Sequence, residues 1–68
     1  MELNAILAPA VEGGFVASNP ETGITTQGET VEEALFNLRE ATELFLEEFP
    51  VHFVGRSLLT TFQIPANT

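Results

Sequence analysis

Gly28-Glu29-Thr30-Val31-Glu32-Glu33-Ala34-Leu35-Phe36-Asn37-Leu38 is the stretch on which the fold turns. Thr30 stands three residues before Glu33, the spacing of a capping box. The Thr30 hydroxyl is placed to accept from the Glu33 N–H, and the Glu33 carboxylate to reach back to the Thr30 N–H. From there Val31, Ala34, Leu35, Leu38, Ala41, Thr42, Phe45 and Leu46 recur at i, i+3, i+4 intervals. This periodicity predicts an amphipathic helix of about 17 residues with one face against other structure. Glu29, Glu32 and Glu33 crowd its start, where the helix dipole favours anions. Pro50 disfavours helical geometry at Phe49, so the helix is expected to stop by Glu48.

Upstream the period changes from 3.6 to 2. Leu3, Ala5 and Leu7 alternate with Glu2, Asn4 and Ile6, predicting a half-buried strand from Glu2 to Pro9. Glu12-Gly13-Gly14 supplies the positive φ angles of a tight reversal, and Gly14 to Ser18 reads as the returning strand of a hairpin. Asn19-Pro20-Glu21-Thr22-Gly23 is turn chemistry throughout. The β-branched Ile24-Thr25-Thr26 after it predicts a third strand ending near Gly28.

Downstream, His52 and Gly55 fall in a connection. Leu58, Thr60, Phe62 and Ile64 then alternate with Ser57, Leu59, Thr61 and Gln63 as a last strand. The expected class is α+β, in the order β-β-β-α-β. A right-handed crossover returns the last strand beside and parallel to the first, giving a mixed four-stranded sheet of order 3-2-1-4 with one helix on one face. A single helix leaves one sheet face and two strand edges uncovered, which predicts self-association as a dimer or tetramer.

Sixty-eight residues make one domain with a small core. Without cysteine there is neither a disulfide framework nor a thiolate metal site to support it. Ten glutamates against Arg39 and Arg56 give a formal charge of −8. Such a surface repels nucleic acid and anionic membrane and attracts a basic partner. The chain has no basic and apolar leader and no run long enough to span a bilayer, so cytoplasm is the expected compartment.

Glu12-Gly13-Gly14-Phe15-Val16-Ala17, then Pro20-Glu21 and Gly23, then Thr26-Gln27-Gly28-Glu29-Thr30-Val31-Glu32-Glu33-Ala34 and Asn37-Leu38-Arg39-Glu40-Ala41, resemble the HicB-like antitoxin family. The resemblance spans roughly residues 3 to 48. It implies a partial RNase H-like fold, assembly into dimers or larger oligomers, and neutralisation of a HicA-type toxin, a small basic ribonuclease that cleaves messenger RNA. The Pro-Glu turn is a residue shorter here than in many members. Many members also carry a C-terminal helix-turn-helix or ribbon-helix-helix, and only Pro65-Ala66-Asn67-Thr68 follow Ile64. Residues 1–68 are therefore expected to form a single HicB-like domain without a DNA-binding domain and without direct contact to nucleic acid.

An RNase H-like shape invites a nuclease reading, because that chemistry holds two metal ions on clustered carboxylates. The chain has no aspartate, and its first strand offers Asn4 where such a carboxylate belongs. Neither enzyme activity nor a metal or other cofactor is expected. The helix glutamates read as a solvated face, and His52 as a loop residue with no triad partner. Gly13 and Gly14 belong to no phosphate loop, as the chain has no lysine. With Pro20, Gly23, Gly28, Thr30 and Glu33 they are structural turn and cap residues.

The anomaly lies on the helix. Phe36 and Leu44 fall on the side away from the sheet, amid Glu40, Glu43 and Glu47. Isolated apolar residues are common on surfaces and need no explanation. An apolar pair rimmed by carboxylates also suits an interface with a basic toxin or a second copy, with Phe36 as the aromatic anchor. These five residues form the candidate partner-binding site. Two functions follow: an antitoxin-type module covering the RNA-binding and catalytic surface of a basic toxin, or a self-associating structural or regulatory protein without a toxin.

Overall fold

The computed structural model describes residues 2–49 and 58–65. Three short strands, β1 (Ile6–Pro9), β2 (Phe15–Ser18) and β3 (Thr25–Gly28), precede one helix, α1 (Val31–Glu48). The strands form an antiparallel meander in the order β1-β2-β3.

Each turn forms where its glycines were read. At the first reversal the Ala10 N–H donates to the Gly14 carbonyl at 3.0 Å, with Gly13 at φ 106° and Gly14 at φ 75°. At the second, the Gly23 N–H donates to the Asn19 carbonyl at 2.8 Å, and Gly23 has φ 80°. Gly14 is needed for space as well as for its dihedral, since a Cβ there would meet the Gly28 carbonyl oxygen at 2.6 Å.

Alternation along an antiparallel ladder fixes which backbone groups face outward. Because Ala10 bonds Gly14, it is Ala8 and Ile6 that exchange bonds with β2, while Leu7 and Pro9 turn theirs to the open edge of β1. Pro9 has no N–H to offer there. On the other side the Asn19 N–H donates to the Ile24 carbonyl at 2.9 Å, which puts the Gln27 carbonyl on the outer edge of β3. The Asn37 side-chain amide caps that carbonyl at 2.8 Å.

Leu7, Ala17 and Thr26 are paired across the sheet and share the face that meets α1. Ala17, Ala34 and Leu38 form the buried core, with Phe15 and Ile24 packed against it. The helix lies on β3 and β2, and the Thr26 hydroxyl donates to the Ala34 carbonyl at 3.0 Å. Small residues at the crossing let the two backbones approach. Gly28 has no room for a side chain, because its Cβ would lie 2.8 Å from the Glu33 carbonyl carbon.

The structure corrects four expectations. The four-stranded mixed sheet of order 3-2-1-4 is not formed: the sheet has three strands, and Leu58 to Ile64 lie exposed, outside any strand. Alternation sets the period of a strand but not its partner, and Leu58-Leu59 makes both faces of this segment apolar, so its register is weakly specified. Pro9 further limits the ladder that β1 offers. Ser57, His52 and Gly55 lie outside the described residues.

The first strand begins at Ile6 rather than Glu2, since β2 ends at Ser18, opposite Ile6, and the ladder runs no further. The buried stripe of α1 is narrower than its apolar periodicity, comprising Ala34, Leu38 and Thr42, while Val31 and Leu35 are exposed. At the helix start the Thr30 hydroxyl accepts from the Glu33 N–H at 3.0 Å as expected. The Glu33 carboxylate, however, accepts from the Glu29 N–H at 3.1 Å, one residue beyond the expected Thr30.

Candidate partner-binding face

An 18-residue helix lying on a sheet necessarily presents a second face to solvent. At 100° per residue, Phe36, Glu40, Glu43, Leu44 and Glu47 fall within one stripe about 100° wide, opposite Ala34 and Leu38. The structure keeps this stripe outside: Phe36 is 59% exposed and Leu44 64%, and the three glutamates are exposed. The Arg39 guanidinium Nε donates to Glu43 Oε1 at 3.2 Å. Glu40 and Glu47 have no ion-pair partner among the described residues, so the stripe keeps a net negative potential around its apolar pair. A surface of this kind binds by burying Phe36 while its carboxylates meet cations at the rim.

The turn and cap residues occupy the positions read for them, and they aim the helix rather than form the stripe. Gly13, Gly14 and Gly23 have positive φ, Pro20 lies in the exposed turn, Gly28 sits under the helix start, and Thr30 and Glu33 form the cap. The described residues contain no group of three histidine, cysteine, aspartate or glutamate side chains that could hold a metal ion, and no helix long and apolar enough to cross a membrane.

Two features escaped the sequence reading. The first is a polar clasp centred on Asn19, which is 2% exposed. Its amide nitrogen donates to the Asn4 carbonyl at 2.8 Å and to Glu21 Oε1 at 2.7 Å, and its oxygen accepts from the Thr22 N–H and hydroxyl. Glu21 also accepts from the Asn4 backbone and side-chain amides at 3.0 and 2.7 Å. Asn-Pro-Glu-Thr-Gly signals a turn, but nothing local signals a partner 15 residues upstream.

The second is a groove of about 520 Å³ between α1 and the segment that precedes β1, floored by Leu38 and Thr42 and walled by Leu3, Ala5, Leu35 and Leu46. It exists because α1 sits over β3 and β2, and Leu3 and Ala5 stand across from the helix without closing onto it. The Thr42 hydroxyl is buried and has no hydrogen-bond partner among the described residues.

Residues 4–52 match a family of unknown function, DUF7387. The chain belongs to this family. DUF7387 thus takes in the meander, the clasp and the whole of α1. The chain is also 42% identical over 53 residues to the UPF0150 protein ssl0259 of Synechocystis sp., a match that covers 76% of this chain and 73% of that protein. No solved structure matches it.

Proposed function

We propose that this DUF7387 chain is a protein-binding module of the HicB-like antitoxin type, which neutralises a basic HicA-type toxin by covering its RNA-binding and catalytic surface. The observation that carries the reading is the outer stripe of α1, where Phe36 and Leu44 stand exposed among Glu40, Glu43 and Glu47. The apolar pair supplies contact area and the carboxylates occupy basic surface that RNA phosphates would otherwise use. The module performs no chemistry of its own, so neither cofactor nor metal enters, and the cytoplasm is where such a toxin acts. The kinship to a UPF0150 protein supports the reading, as does the resemblance carried by the glycine hairpin, the Pro-Glu turn and the helix start.

The test mixes this chain with the HicA-type toxin encoded nearest to it and follows RNA cleavage. Stoichiometric chain should stop cleavage, and cleavage that persists at saturating chain overturns the reading. A second reading, a self-associating regulator with no toxin, is favoured by the open groove between α1 and the residues before β1. A genome with no basic toxin-like reading frame beside the gene would select it.

A further inference from the structure

Residues 58–65 are the least covered part of the described chain. Leu58 is 89% exposed and Phe62 82%, with Leu59 and Ile64 close behind. Four large apolar side chains held in water forgo the stabilisation that burial would give them. Exposure this high along the segment means that the body covers little of it. The body in turn carries an apolar groove that its own residues leave unfilled.

We infer that the groove between α1 and the segment preceding β1 receives residues 58–64 of a second copy of this chain. The chemistry of the two surfaces matches. Leu58-Leu59-Thr60-Thr61-Phe62-Gln63-Ile64 carries no charge, so it can enter a partner whose formal charge is −8 without adding repulsion. Its leucine, phenylalanine and isoleucine side chains meet Leu3, Ala5, Leu35, Leu38 and Leu46. Its threonines and glutamine meet the Arg39 and Glu43 side chains at the rim, and an inserted backbone brings polar groups toward the orphaned Thr42 hydroxyl.

The visitor docks through side chains and does not extend the sheet, because the outward edge of β1 ends in Pro9. A segment that its own body covers so little is free to reach another, and exchange in both directions closes a two-fold dimer in which each copy gives one segment and receives one. The outer stripe of α1 stays open in that dimer. The inference therefore stands apart from the toxin reading and is tested with no other protein present.

The full chain should scatter light as twice its 7.4 kDa mass at micromolar concentration. Phe62→Glu should halve that mass while leaving the circular dichroism spectrum unchanged, since the side chain is exposed in the single chain. Leu35→Glu should do the same from the groove side, and if it fails to fold, Phe62→Glu still carries the comparison. The chain has no cysteine, so placed thiols report proximity cleanly. Ala5→Cys and Thr61→Cys chains, mixed and treated with a short bismaleimide, should form a mixed covalent dimer in far higher yield than either alone. A monomeric parent chain, no mixed product, or a doubly substituted chain that links only within itself would each overturn the inference.

Discussion

Gly28 in β3 lies against the first turn of α1 so closely that a Cβ on it would sit 2.9 Å from Ala34 Cα. Only hydrogen fits between strand and helix at this point. Gly28→Ala must therefore push the helix start away from the sheet, disturbing the Thr26 bond to the Ala34 carbonyl and the packing of Ala17 under Ala34. Overpacking of this kind costs about 1–3 kcal/mol. Urea unfolding should show the loss as a lower midpoint, and an unchanged midpoint would mean that the contact relaxes freely.

Asn19→Ala should destabilise by about 2–3 kcal/mol, because the clasp loses its centre and its partners are left short of bonds in a part-buried place. The effect should reach the segment before β1 as well as the turn. Hydrogen exchange would detect it as faster exchange at the Asn4 and Thr22 amides, both of which are held by this cluster.

Thr30→Ala removes the acceptor of the Glu33 N–H and should cost about 1 kcal/mol. Thr30→Ser keeps that acceptor and should restore most of the loss. Thermal melts of the three chains decide the matter, and equal melts for alanine and serine would assign the effect to something other than the cap.

Phe36→Glu should leave the fold and its melting temperature intact, since the ring is 59% exposed. The same change should weaken toxin binding by at least 30-fold, the ~2 kcal/mol typical of a hot-spot aromatic. Calorimetric titration with the toxin reads the second effect and circular dichroism the first. Loss of folded structure would place Phe36 in the core after all.

Association with a basic toxin should be fast at low salt and slow as salt rises, because a chain at −8 steers a cationic partner from a distance. Affinity should fall with the on-rate but should not vanish at high salt, as screening does not reach the apolar contact of Phe36 and Leu44. Excess RNA should delay inhibition if both compete for the same basic surface. Stopped-flow binding at two salt concentrations, with and without RNA, measures all three.

The parts legible in the sequence were those governed by near neighbours. Gly13-Gly14 and Asn19 to Gly23 announced their turns through dihedral needs, and Thr30 with Glu33 announced the helix start through a spacing of three. The helix stripe of Phe36 and Leu44 followed from angular arithmetic alone. What failed depended on distant partners. Leu58 to Ile64 have the alternation of a strand, yet a strand exists only where another backbone completes its ladder, and Pro9 thins the edge it was assigned to. Val31 and Leu35 are apolar at helical spacing, yet α1 is seated toward β3, which leaves them outside. The Asn4–Glu21 contact joins residues 17 apart and has no local signature.

Both margins of the sheet are blunted, one by Pro9 and the other by Asn37 on the Gln27 carbonyl. A bare margin is a template on which further molecules can stack end over end, and growth of that kind has no natural stopping point. Here each margin lacks a group such stacking would need. Blunted in this way, the sheet itself offers no easy route to open-ended growth, and association is left to the side-chain surfaces of the helix and the groove.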